Sequence, residues 1–297
     1  MHHRILTLHC LSPLHCGTGQ GIAGIDLPIQ RERHTGWPVI PGSSIKGVLR
    51  DAFRGSLSGM KADEADRDPR TIALFGPESQ AKELGLGALI VSDAILLAFP
   101  VRSLVGVFAW VTCPMALGRL ARLPGVLDLN NFAAFPLTDD EILADASLVA
   151  DAGKVVLEDH ALTQKALPPG LADALRTRWV FSAQTMLDQH LAVVSDTVFS
   201  WFARHATQVE ARIALDPLTK TVNEGQLFYE ETVPPESVFI APLAAEDARH
   251  PKADAALRTA TAALEAVKGL VDGKTLQFGG KATIGRGLCA MRLMGGN

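Results

Sequence analysis

The chain has 297 residues, of which 47% are hydrophobic and 20% are charged. This composition excludes a disordered polypeptide, because disordered chains contain few apolar residues and carry a high net charge. No apolar run reaches the length of a membrane span and the N-terminus lacks the layout of a signal peptide, so we expect a cytoplasmic protein with no membrane partner.

The net charge of −4 argues against a nucleic-acid partner, but the charges are unevenly distributed. Residues 1–54 contain six Lys or Arg against three Asp or Glu, and residues 268–297 contain five against one. Contact with a polyanion depends on the local field, so two cationic chain ends that meet in the fold would form a nucleic-acid surface. The alternative is that the lysines and arginines of the two chain ends are ordinary solvated side chains with no nucleic-acid partner.

The first predicted strand covers Arg4–Leu11, and four glycines follow between residues 17 and 24. Glycine permits tight turns and the close approach of a ligand backbone. Cys10 and Cys16 each follow a histidine, which raises a metal site as one interpretation. The spacing lacks a C-x-x-C pair, so we favour buried, reduced thiols that act as small apolar residues.

Pro41–Ser44 precede a predicted helix whose apolar residues recur at the spacing of one buried face. Ser43 or Ser44 is the expected N-cap, because a hydroxyl there accepts a hydrogen bond from the first turn. Lys46, Arg50 and Arg54 form a basic stripe along another face. The start of this helix is a candidate phosphate site, although it lacks the spacing of a Walker loop.

The middle of the chain contains two further predicted strands, over residues 86–97 and 104–112, and a helix that begins at Pro114. We expect residues 124–206 to be a helical insertion, with a clear helix over residues 188–206. Residues 212–233 are predicted to form a protruding β-hairpin with its turn at Asn223–Gly225. An ordinary sheet edge is the alternative for this segment.

Near the C-terminus, a helix over residues 253–270 is followed by a short strand, a glycine-rich loop at residues 279–287 and a final strand. The order of strands and helices predicts an α+β fold with a ferredoxin-like (RRM-type) sheet and helices packed on one face. We expect residues 1–297 to form a single domain.

Five blocks of the sequence together resemble one family. They are residues 9–54, LFGPE at 74–78, VSDAILLAFPVRSLVGVFAWVTCPMALGR at 91–119, LFYEETVPPESVF at 227–239 and FGGKATIGRGL at 278–288. They are similar to the RAMP-superfamily backbone subunit of type III-B CRISPR effector complexes, the fourth subunit of the Cmr complex. The run at 91–119 is the most specific block, since glycine-rich loops occur in many families.

The resemblance implies a subunit that binds the crRNA guide, assembles in several copies as a helical backbone and contacts other Cmr subunits. It further implies cleavage of bound target single-stranded RNA at regular intervals. A scaffold that binds RNA while another subunit cuts it is the first alternative. An enzyme that uses the glycine loops to bind a nucleotide or sugar phosphate is the second.

The resemblance also assigns residues to roles. Asp26 stands at the position of the residue needed for cleavage, and it would bind a loosely held divalent metal, Mg²⁺ or Mn²⁺. His15 and Glu230 are candidate catalytic partners, and Glu231 is a further possible helper. Without the resemblance, Asp26 would be interpreted as a turn former. Residues predicted to contact RNA are Arg31, Arg33, Ser43, Ser44, Lys46, Arg50, Lys220, Thr221, Gly279, Gly280, Lys281, Gly285 and Arg286.

Overall fold

The computed structural model describes residues 1–19, 21, 24–77, 85–124, 136–178, 187–215 and 218–295. The strands in these ranges are β1 (His2–Cys10), β2 (Val39–Ile40), β3 (Leu89–Val91), β4 (Ala94–Arg102), β5 (Phe108–Thr112), β6 (Glu141–Ala144), β7 (Lys154–Leu157), β8 (His160–Lys165), β9 (Leu191–Val194), β10 (Gln208–Leu215), β11 (Val222–Thr232), β12 (Val238–Ala245), β13 (Thr275–Gln277) and β14 (Leu288–Met294). The α-helices are α1 (Gly42–Ser56), α2 (Ala62–Arg67), α3 (Pro69–Phe75), α4 (Pro114–Ala121), α5 (Leu171–Arg178), α6 (Leu187–His190), α7 (Asp196–His205) and α8 (Ala260–Val271). The α+β prediction is confirmed.

The centre of the fold is a sheet in which β14, β1, β12 and β4 lie side by side in that order. Each neighbouring pair is antiparallel. Helix α1 follows β1 and helix α8 follows β12, which gives the β-α-β-β-α-β order of a ferredoxin-like fold. Because β1 pairs with β14, the two cationic chain ends meet, which is the condition that the charge distribution left open.

The core is continuous with this sheet and its helices. Leu6 and Leu8 of β1 are fully buried, as are Ile45 and Leu49 on the inner face of α1. Leu264 of α8 is buried to the same extent. The predicted apolar face of α1 is therefore confirmed, and burial of such side chains contributes about 1.5–3 kcal/mol each.

Residues 124–206 are not a helical insertion. Their described part contains strands β6, β7, β8 and β9 as well as helices α5, α6 and α7. Strand β9 pairs in parallel with β5 and so extends the main sheet. It lies in the first half of the segment that was predicted as a helix over residues 188–206. All four residues of β9 are buried, which is the pattern of a strand covered on both faces and cannot be separated from a buried helix turn by periodicity.

The hairpin is formed by β10 and β11, which pair in antiparallel register from Gln208↔Thr232 to Leu215↔Val222. The predicted turn at Asn223–Gly225 is wrong, because these residues lie inside β11. The turn falls instead between residues 215 and 222, where Lys220 has a φ of 59°. Asn-x-Gly favours a turn locally, but the register of the two arms decided its place.

The start of α1 differs from the sequence prediction. The helix begins at Gly42 with Pro41 at the N-cap, and no side chain of its own caps it. The Asp93 carboxylate instead accepts a hydrogen bond from the Gly42 amide at 2.7 Å. Ser43 and Ser44 are thus inside the first turn, and a carboxylate from the β3–β4 connection stabilises the positive end of the helix.

We predict that Asp93→Ala lowers the free energy of unfolding by about 1 kcal/mol, the typical cost of losing an N-cap acceptor. Ser43→Ala is the matched control and should change stability very little, because its hydroxyl caps nothing. Urea denaturation of the two variants tests this assignment. A larger loss for Ser43→Ala than for Asp93→Ala would restore the hydroxyl cap expected from the sequence.

Candidate RNA groove and cleavage site

The glycine-rich loop between β1 and β2 folds back on itself and lies against the hairpin. Gly17 pairs with Ile29 across the loop, and Leu27 pairs in parallel with Glu230 of β11. The Leu27 amide donates to the Tyr229 carbonyl at 3.0 Å. Residues 26–29 therefore lie along β11 on the edge that β10 does not occupy.

Asp26 sits at the start of this paired segment with its side chain exposed. Its carboxylate accepts a hydrogen bond from the Tyr229 amide at 2.7 Å, and its carbonyl accepts one from Gly21 at 2.8 Å. Tyr229 is itself 42% exposed. The backbone around Asp26 is thus fixed, while the carboxylate remains open to solvent beside an exposed aromatic ring.

His15 and Glu230 lie in the interior rather than beside the Asp26 carboxylate. Glu230 is 1% exposed and accepts a hydrogen bond from Arg212 at 3.2 Å. Its other oxygen lies 3.9 Å from the Lys281 amine and 4.0 Å from His15 Nδ1. In this structure, both side chains are therefore held by partners other than the Asp26 carboxylate.

The hairpin and the C-terminal glycine loop are joined by further ion pairs. Arg286 is buried and donates to Glu210 of β10 at 2.7 Å, and Glu210 also accepts from Arg212 at 3.1 Å. The Lys281 amine lies 5.5 Å from the centre of the Phe228 ring. Two cations predicted to contact RNA, Lys281 and Arg286, are thus engaged with the hairpin.

A groove of about 450 Å³ lies where three parts of the chain meet. It is lined by Gly17 of the first loop, Ser44 and Gly47 of α1, and Gly279 and Gly280 of the last loop. The start of α1 and the last glycine loop, both predicted to contact RNA, therefore lie together here, although Ser43 and Lys46 do not line this groove. The close approach of the first and last loops depends on glycine, since a Cβ at Gly279 would overlap the carbonyl oxygen of residue 15.

The basic stripe of α1 is largely neutralised by protein contacts. Arg50 donates to Asp66 of α2 at 2.7 Å, and Arg54 binds the same carboxylate. Burial raises the pKa of Asp66, but the hydrogen bonds from both arginines lower it by a larger amount, so the net shift of this pKa is downward. Lys46 donates to the Leu89 carbonyl, and burial, followed by the charge of Arg50, lowers its pKa. The prediction of Arg50 as an RNA ligand is corrected: it anchors α2.

Arg31 also points inward, contrary to the sequence prediction. Its guanidinium donates to the carbonyls of Gly36 at 2.7 Å and Ala203 at 2.8 Å and to the Glu231 carboxylate at 2.5 Å. These protein acceptors use the guanidinium N–H groups of Arg31 that would otherwise donate to a phosphate. Arg33, two residues along, is exposed and stays available to RNA.

The other predicted RNA ligands lie at separate places. Ser43 and Lys46 line a second cavity of about 470 Å³, which shares no lining residue with the groove. Lys220 and Thr221 are exposed at the hairpin turn. Gly285 is exposed in the last loop, with a φ of 77°.

The donor set around Asp26 suits only a loosely held metal ion. Within the described residues, no group of three or more His, Cys, Asp or Glu side chains could hold a metal. Cys16, which lines the groove, is a poor ligand because burial, followed by the nearby Cys289, raises its pKa to about 12. A divalent ion at Asp26 would take its remaining ligands from water and from phosphate, as Mg²⁺ commonly does.

No helix in the described part of the chain is long and apolar enough to cross a membrane. A model of the RAMP superfamily matches residues 7–290. The chain therefore belongs to the RAMP superfamily.

The chain is 34% identical over 294 residues to the CRISPR system Cmr endoribonuclease Cmr4 of Pyrococcus furiosus, covering 97% of this chain and 95% of the relative. The crystal structure of oligomeric Cmr4 from the same organism superposes with a TM-score of 0.72 at 28% identity, over 100% of this chain and 99% of that one. A subunit of the type III-B Cmr-beta complex bound to cognate target RNA matches at a TM-score of 0.70 and 22% identity, over 99% and 97% of the chains, and supports the fold alone. The resemblance to the fourth Cmr subunit is confirmed.

We predict that Gly279→Ala weakens RNA binding more than Gly285→Ala. Both glycines have a positive φ, so the backbone strain of an alanine is similar at the two positions. Only at Gly279 would the added Cβ collide with the backbone of residue 15 and displace the loop from the groove; at Gly285 nothing lies within 4 Å. Equal affinities of the two variants for single-stranded RNA in a filter-binding assay would show that the groove is not the binding site.

Proposed function

We propose that the chain is the guide-RNA-binding backbone subunit of a type III-B CRISPR interference complex and that it cleaves bound target RNA at Asp26. The observation that carries the proposal is the placement of one loop. Gly17 lines the glycine groove, and the loop that it begins presents the exposed Asp26. The relative named Cmr endoribonuclease supports the activity.

The groove suits a guide strand whose sequence varies. Four glycines and Ser44 line it together with Cys16, Gln30, Pro41 and Val48, and no charged side chain is in this lining. Backbone amides exposed at glycines can bind sugar and phosphate without reading bases. Base pairing between guide and target then provides the specificity. The proposed partners are the crRNA guide, the target single-stranded RNA, further copies of this chain in a helical backbone and other Cmr subunits.

The hairpin is the element that would open the guide–target duplex. Its exposed face carries apolar side chains, with Ile213 at 51% exposure, Leu227 at 54% and Leu218, near the turn, at 91%. Apolar and aromatic side chains can insert between bases or stack beneath one. Tyr229 is on the same arm, so the bound strand would be distorted directly beside Asp26.

A distorted strand brings a ribose 2′-hydroxyl into line with the adjacent phosphate. The 2′-oxygen attacks phosphorus and the bond to the next 5′-oxygen breaks, which leaves a 2′,3′-cyclic phosphate and a 5′-hydroxyl once the leaving oxygen takes a proton from water. The Asp26 carboxylate is exposed and can accept the 2′-hydroxyl proton. Mg²⁺ or Mn²⁺ at Asp26 would supply stabilisation of the developing negative charge.

We predict that Asp26→Ala abolishes target cleavage in the assembled complex while guide and target binding persist. Asp63→Ala, at an exposed aspartate in the first turn of α2, is the control and should cleave at the normal rate. Denaturing gels of labelled target RNA measure both. Unchanged cuts with Asp26→Ala would leave the chain a non-catalytic scaffold, with the nuclease elsewhere in the complex.

We predict that Arg33→Ala reduces the salt dependence of guide-RNA binding, because one phosphate contact is lost. For a single strand, the slope of log K against log salt should change by about 0.7. Arg67→Ala removes an exposed arginine of α2 and should leave the slope unaltered. Titrations at several salt concentrations decide the matter, and identical slopes for Arg33→Ala and the unmodified protein would remove Arg33 from the interface.

A further inference from the structure

We infer that the ion pair between the partly buried Arg31 and the buried Glu231 positions Asp26, so that both residues act on cleavage and not on RNA affinity. The inference rests on the proposed function, because it takes Asp26 as the cleaving residue. It replaces the RNA-contact role that the sequence suggested for Arg31 and gives Glu231 a role distinct from that of Glu230.

Glu231 is a buried carboxylate, 3% exposed, on the hairpin arm β11. One oxygen accepts a hydrogen bond from the backbone amide of Ile29 at 3.1 Å. The other accepts from the Thr207 hydroxyl at 2.8 Å and from Arg31 at 2.5 Å. The Glu231 side chain thus connects β11 to the segment that carries Asp26 and to Thr207, just before β10.

Arg31 extends this connection to the body of the protein. Its guanidinium also donates to the carbonyl of Ala203, in the last turn of α7, and to that of Gly36, before β2. Loss of Arg31 would leave the buried Glu231 carboxylate incompletely paired, and loss of Glu231 would do the same to the partly buried guanidinium, which proteins avoid by local rearrangement. The rearrangement would fall on the segment between Asp26 and Arg31.

The backbone transmits such a shift directly to Asp26. The Leu27 carbonyl accepts from the Glu231 amide at 3.0 Å, so Glu231 holds the segment through its main chain at residue 27 and its side chain at Ile29. Asp26 adjoins this doubly held stretch. A misplacement of about 1 Å in a catalytic group can cost about 10²-fold in rate.

Glu230 is the neighbouring contrast. Its side chain faces the other side of β11 and contacts Arg212, Lys281 and His15, none of which lies in residues 26–31. Adjacent glutamates on one strand therefore serve different partners, as alternation across a strand requires. Of these two side chains, that of Glu231 is the one bonded to the Asp26 segment, at the Ile29 amide.

The test uses complexes assembled with guide RNA that contain Glu231→Gln, Arg31→Met or both. We expect single-turnover cleavage at saturating target RNA to fall by about 10- to 100-fold in each single variant, with guide affinity, target affinity and cut positions unchanged. The double variant should lose no more than the worse single variant, because the pair acts as one unit. Glu236→Gln, in the turn after β11 with His9 as its partner, is the control and should cleave normally.

A purely structural role predicts a different result. It would lower the melting temperature and the yield of complex but leave the rate per assembled complex unchanged, which overturns the inference. Arg31→Lys keeps the charge with fewer donors and gives an intermediate rate if Arg31→Met fails to assemble. Weaker guide binding with a normal cleavage rate would return Arg31 to the RNA interface.

Asp26→Ala, measured in parallel, separates the proposed cleaving role of Asp26 from the positioning role of Arg31 and Glu231. If Asp26→Ala still cleaves, the proposed function fails whatever the Glu231 variants do. If Asp26→Ala is inactive while Glu231→Gln and Arg31→Met cleave at the normal rate, only the positioning inference fails.

Discussion

The pairing of the two chain ends is the constraint on which the site depends. Strand β1 lies between β12 and β14, and it is antiparallel to β14. The loop that leaves β1 and the loop that enters β14 are therefore at the same end of the two strands. The Gly280 amide then donates to the His15 carbonyl at 2.9 Å and joins the two loops. Residues distant in sequence thereby line one groove, and glycine at position 279 is required because a Cβ has no room beside residue 15.

The same compact arrangement decides what the positive charges do. Three arginines expected to contact RNA are instead bound to carboxylates: Arg31 to Glu231, Arg50 to Asp66 and Arg286 to Glu210. A guanidinium in a tightly packed region needs a partner, and an acid nearby is the least costly one. In the proposed function, RNA contact would therefore depend more on backbone and glycine than on these three arginines, which fits a chain with a net charge of −4.

Local patterns in the sequence were sufficient where one segment determines its own structure. The buried face of α1, the start of α4 at Pro114 and the first strand all follow from spacing and proline chemistry. They were insufficient where a distant partner decides. The cap from Asp93 on α1 and the burial of strand β9 depend on neighbours far along the chain. The charge distribution raised the meeting of the two chain ends as a condition for RNA binding without predicting it, whereas the inward turn of Arg31 had no signal in composition or spacing.

Asp26 combines a fixed main chain with a solvent-exposed carboxylate that accepts one hydrogen bond, and the cleaving role proposed for it would need this combination. The hydrogen bond from the Tyr229 amide ties the acid to the hairpin, so the acid and the exposed apolar residues of β10 and β11 keep a constant relation. If the hairpin opens the duplex, the acid stands beside the opened step in every copy. Regular spacing of cuts would then follow from regular spacing of subunits, with no need for the protein to recognise the target sequence.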